Sequence, residues 1–118
     1  MPSTARRFVD AFLRGDAPSA AALLAPDATF HSPVRDYAGA ERIANVWQAV
    51  AGIVAEAQTV SVHERDRETI AFFIGAVKDR PVDGVLRTLT DEDNRLSDVM
   101  LMIRPWAALK AGIVDLKI

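Results

Sequence analysis

The sequence predicts an α+β fold in which helices come first and a meander of strands packs on them. Three observations predict it. Apolar residues recur at helical spacing through the first part of the chain, the period then changes to alternating or continuously apolar runs, and the breaks between those runs are short and polar. Half of the 118 residues are hydrophobic, enough for one core, so a single domain over 1–118 is expected.

The elements follow in order. Ser3 suits the N-cap of a first helix in which Ala5, Phe8, Val9, Phe12 and Leu13 repeat at helical spacing, with Gly15 just beyond its end. Pro18 fits the first turn of a second helix carrying Leu23 and Leu24, which Pro26 ends. Residues 28–32 read as a brief strand stopped by Pro33, and a loop follows through Arg35, Asp36 and Tyr37. From Ala40, the positions Ile43, Val46, Trp47 and Val50 mark a third helix closed by Gly52. Four strand-like runs come next, at 59–63, 70–77, 82–90 and 96–103. Their breaks at 64–67, 78–80 and 91–94 are turn-prone and predict antiparallel hairpins. Pro105 ends the last strand, 106–110 predicts a final short helix before Gly112, and the tail after it has no assigned element.

Composition narrows the function. A net charge of -2 argues against a phosphate-binding surface, so no nucleic-acid partner is expected. With no cysteine, the chain has no disulfide, thiolate nucleophile or cysteine metal ligand. Arg6, Arg7 and Asp10 break up the apolar residues of 1–14, unlike a signal peptide, and no apolar run reaches the roughly 18 residues of a membrane span. A cytoplasmic location without membrane attachment is the expectation. His63 has no second histidine four residues on, and 91–94 lacks the glycine and distal glutamate of a calcium loop. No glycine loop is built to cradle phosphate, so neither metal nor cofactor is expected.

Three passages carry a family resemblance: Leu24-Ala25-Pro26-Asp27-Ala28-Thr29-Phe30-His31-Ser32-Pro33, Tyr37-Ala38-Gly39-Ala40-Glu41-Arg42-Ile43, and the set Val82-Asp83-Gly84, Asp91-Glu92-Asp93-Asn94-Arg95-Leu96 and Arg104-Pro105-Trp106. With the order of elements, they resemble the nuclear transport factor 2-like superfamily, in its SnoaL-like branch. The resemblance implies a cone-shaped, curved antiparallel sheet packed on three N-terminal helices, with a pocket inside the cone. It also implies a homodimer paired through the outer sheet face, a face on which Val85 and Leu89 fall by alternation.

The same resemblance tests activities. Ketosteroid isomerases use a carboxylate base and two oxyanion donors; the corresponding positions here are Ser32, Phe8 and Leu86, which leave those roles vacant. SnoaL-like cyclases place an aspartate on the last strand, where Leu101 stands on one face with Val99 and Ile103. Limonene epoxide hydrolases need an arginine and two aspartates; Arg87, Asp83 and Asp98 would have to converge, yet alternation turns Arg87 away from Leu86.

His31 and Asp36 are the candidate catalytic residues: a histidine can act as a base near neutral pH, and a loop carboxylate at a pocket mouth would have a raised pKa. Alternation points Ser32 inward and His31 to the other face. The expected ligand contacts are Phe8, Leu24, Phe30 and Trp47 from the first half, with Ser32 as the polar group. Leu86, Val99, Leu101 and Ile103 supply the sheet side. The Trp47 N–H seeks an acceptor when buried, and the hydroxyl of Tyr37, the one tyrosine, is a further candidate at the mouth. A small apolar ligand is the favoured reading. The alternatives are a cyclase or isomerase on a polyketide-like or steroid-like substrate, and a non-catalytic dimerisation or interaction module. A hollow of roughly 300 Å³ or more favours a ligand, and a filled cone favours the module.

Overall fold

The computed structural model describes residues 3–114 as α1 (Thr4–Leu13), α2 (Ala17–Ala21), β1 (Leu24–His31), β2 (Asp36–Ala38), α3 (Ala40–Val50), β3 (Ala55–Arg65), β4 (Glu68–Val77), β5 (Arg80–Thr90), β6 (Leu96–Arg104) and α4 (Trp106–Val114). The six strands form one sheet in the order β2-β1-β6-β5-β4-β3. The antiparallel meander β3–β6 is the one read from the period change, with Leu86 opposite both Ala71 and Leu101. β1 joins β6 in parallel and β2 antiparallel, so the sheet is mixed rather than wholly antiparallel. No hairpin links β1 to β6, and packing of the helical half rather than a turn sets its direction.

Local chemistry fixes the helix starts. The Ser3 side-chain oxygen accepts from the Arg6 N–H at 3.1 Å and its hydroxyl donates to Glu64 at 2.9 Å, while the Arg6 guanidinium pairs with the same carboxylate. One cap thus fastens α1 to β3. Asp16 caps α2 by accepting from the Ser19 N–H at 3.2 Å.

Three local expectations are corrected. α2 ends at Ala21, so Leu24 and Pro26 belong to β1; the register of β1 on β6 is irregular between Leu24 and Thr29, which spares Pro26 from donating to the ladder. The loop expected at Asp36 and Tyr37 is edge strand β2, pairing Tyr37 with Phe30. The last helix runs on through Gly112 to Val114. A Cβ at Gly112 would lie 2.6 Å from Val77 Cγ1, so this glycine permits close helix–sheet approach instead of ending the helix. The rest of the unassigned tail, 115–118, lies outside the described residues.

α1 and α3 cover the concave face of the sheet. Trp47 sits among Phe8, Phe12 and Phe30 at ring-centroid separations of 5.2, 5.6 and 5.5 Å. Phe8, Trp47, Phe30, Phe73, Ile43 and Leu86 are essentially inaccessible. Gly84 makes room for Phe73, since a Cβ there would press on the Phe73 ring and come within 2.7 Å of the Met102 carbonyl oxygen. The convex face leaves Phe72, Ile74 and Met102 44%, 46% and 53% exposed. Among the described residues, no helix is long and apolar enough to cross a membrane.

Candidate functional site

Between α1, α3, α4, the 33–35 loop and the concave sheet lies a cavity of about 370 Å³. Phe30, Trp47, Phe73, Leu101 and Leu109 form its buried wall, and exposed Val34, Arg35 and Ala51 mark its mouth. The volume falls in the range of small-molecule sites and exceeds the roughly 300 Å³ that separates a hollow cone from a filled one.

Five of the nine expected contacts line this space: Phe30, Ser32, Trp47, Leu101 and Ile103. Phe8, Leu24, Leu86 and Val99 do not; all four are at most 4% exposed and belong to the solid core. Alternation reports which face a side chain takes but not how deep it sits, and these four lie where the helices meet the sheet without a gap. The sequence reading missed Phe12 and Leu13 at the far end of α1, Val46, Val50, Ile53 and Val54 on and after α3, Phe73 on β4, and Leu109 and Ile113 on α4. The periodicity of α1 and α3 already marked Phe12, Leu13, Val46 and Val50 as inward. For α4 no local signal could say which strands it would cross.

Ser32 lines the cavity, but its hydroxyl is committed. It donates to the Arg35 carbonyl at 2.7 Å and accepts from the N–H groups of Val34 and Arg35 at 3.1 and 3.0 Å. This shapes the loop and uses its single proton, so Ser32 is not the expected polar contact. Besides Trp47, the other polar side chains among the described wall residues are Arg35 and Tyr37, whose ring stacks on Phe30 at 6.2 Å and lies 6.0 Å from the Arg42 guanidinium. The Trp47 indole N–H is buried with no hydrogen-bond partner among the described residues.

The two catalytic candidates stand outside the cavity. His31 lies on the convex face, where its Nδ1 meets Asp36 at 2.9 Å and its Nε2 meets Asp98 at 2.8 Å. Asp98 is also 3.8 Å from Arg87, which pairs with Glu68 at 2.7 Å, so five residues of alternating charge cross five strands. Carboxylates only accept, so two such contacts call for N–H on both ring nitrogens and hence an imidazolium. The hydrogen bond to Asp36, then that to Asp98, holds the His31 pKa above its ordinary value. A charge-paired imidazolium flanked by two carboxylates is a structural cation, not a free base for the cavity. Arg87 and Asp98 thus meet on the outer face, while Asp83 pairs with Arg104 at 2.8 Å further along β5, so the arginine-and-two-aspartates arrangement is not assembled. Among the described residues no group of three or more His, Cys, Asp or Glu could hold a metal ion.

Comparison with known proteins fits this architecture. Residues 5–84 match the SnoaL-like domain family. An uncharacterised protein of cystatin-like fold from Silicibacter pomeroyi superposes with a TM-score of 0.87 at 22% identity, over 96% of this chain and 82% of that one. A steroid delta-isomerase from Pseudomonas aeruginosa gives 0.84 at 26% identity, over 96% and 85%. A SnoaL-like polyketide cyclase of putative assignment from Shewanella putrefaciens gives 0.72 at 14% identity, over 95% and 84%. No curated protein sequence matches the chain.

Proposed function

The chain belongs to the SnoaL-like domain family, and from that premise we propose that it binds a small hydrophobic molecule in the cavity of its cone. The observation that carries the reading is the 370 Å³ hollow itself, open at one side and walled mostly by aliphatic and aromatic side chains. The steroid delta-isomerase likeness supports a small apolar ligand of that class. It does not bring the isomerase chemistry, because the cavity wall among the described residues holds no Asp, Glu, His or Lys to act as base, and His31 and Asp36 are spent on each other outside. The interaction-module reading needs a filled cone, which the volume disfavours.

A neutral fluorescent dye such as Nile red provides the test. Val46 lines the cavity from α3, and Val46→Trp fills it with an indole. The wild type is expected to bind the dye with a blue-shifted emission, and the folded variant to bind at least about tenfold more weakly, which is a loss of about 1.4 kcal/mol. Equal binding by both proteins would show that the dye sits elsewhere and would end this reading.

The convex face supports a homodimer. Phe72 and Ile74 on β4 and Met102 on β6 are exposed there on either side of β5, an apolar area that a second copy would cover isologously. Light scattering on the purified protein should return twice the chain mass of 12.8 kDa. A monomer mass across a wide concentration range would remove the dimer.

A further inference from the structure

Among the described residues, the cavity has one charged group in its wall. Of its described lining residues, Arg35 alone has a charged side chain, and its guanidinium makes no hydrogen bond or ion pair among the described residues. This is not for want of a neighbouring carboxylate. Asp36 is the next residue, but its side chain is turned to His31 on the convex face. Ser32, which bonds the Arg35 backbone on both sides, fixes the loop that carries the cation to the mouth. Tyr37 adds a second donor there, its ring held against Phe30 and its hydroxyl without a partner among the described residues. Apolar depth with a guanidinium and a phenol among its lining residues makes a polarised site. The net charge of -2 means that the whole surface does not attract anions, so any preference for a negative ligand must arise locally.

We infer that the natural ligand is an amphiphilic carboxylate, its apolar body in the cone and its acid group at Arg35 and Tyr37. This rests on the binding reading above and specifies the ligand class. A guanidinium presents paired donors that match both oxygens of a carboxylate, and a half-exposed pair of this kind is worth about tenfold in affinity.

Octanoate and octan-1-ol share one alkyl chain and differ in the charged head, so calorimetric titration with both at about pH 8, where the acid is ionised, separates the two claims. Wild type is expected to bind octanoate about tenfold more tightly than octanol. Arg35→Gln should lose that preference and keep octanol binding, because Arg35 is exposed and supports no buried packing; circular dichroism checks that it folds. Val46→Trp should weaken both probes. Equal affinity for the two probes in the wild type, or a preference that survives Arg35→Gln, overturns the carboxylate assignment while leaving the apolar site standing. Failure of both probes to bind the wild type removes the apolar site and this inference with it.

Discussion

Replacing Trp47 with alanine is expected to destabilise the protein by about 3–5 kcal/mol, the cost of a large void in a packed core. Trp47 is 1% exposed and touches the rings of Phe8, Phe12 and Phe30, so it joins α1, α3 and β1 at one point. Its loss would also merge the void with the neighbouring cavity, whose wall it forms. Trp47→Phe keeps an aromatic ring at the centre of the cluster. Because the indole N–H has no partner among the described residues, phenylalanine removes an unpaired buried donor and some volume together. Chemical denaturation should therefore give Trp47→Phe less than half the loss of Trp47→Ala. Equal losses in the two variants would contradict packing of an aromatic ring as the source of this stability.

Asp98→Ala is expected to cost about 1–3 kcal/mol, since it removes the anion shared by two cations and leaves a charge-assisted hydrogen bond unmade. Asp98 accepts from His31 and lies 3.8 Å from Arg87, with Asp36 and Glu68 completing the row. The same row makes stability depend on pH. The folded pKa of His31 is raised above the unfolded value, through Asp36 first and Asp98 second. Its contribution is therefore complete below the unfolded value of about 6.5 and is lost as pH rises through the folded one. Wild-type stability should fall over that interval, and the fall should shrink in Asp98→Ala and vanish in His31→Gln. Protein concentration must be held constant, because self-association on the same convex face would shift the apparent stability. A ring titration by NMR that places folded His31 at or below about 6.5 would contradict this assignment.

Both expectations depend on different depths of information in the chain. The helical repeat of Ile43, Val46, Trp47 and Val50 is local, and it alone defines α3 and its inward face. The alternation around Phe30 and His31 is also local, and it alone puts the aromatic ring inside and the imidazole outside. The four meander strands and their order came from the same kind of signal, because hairpins pair neighbours in sequence.

What the sequence by itself determined, then, is every element but the edge strand β2, their order and the face each side chain takes, all of which are written in spacing over a few residues. Only the tertiary structure decided that Phe8, Leu24, Leu86 and Val99 are solid core while Phe12, Phe73 and Leu109 border a hollow. It alone brought Asp98 to His31 across 67 residues of chain. It also spent the Ser32 hydroxyl on its own loop and left Arg35 at the mouth with no partner for its guanidinium among the described residues. The physical reason is that depth and pairing depend on how far apart curved layers come to rest, which is set by register, sheet curvature and packing between residues remote in sequence, and no local period encodes those distances.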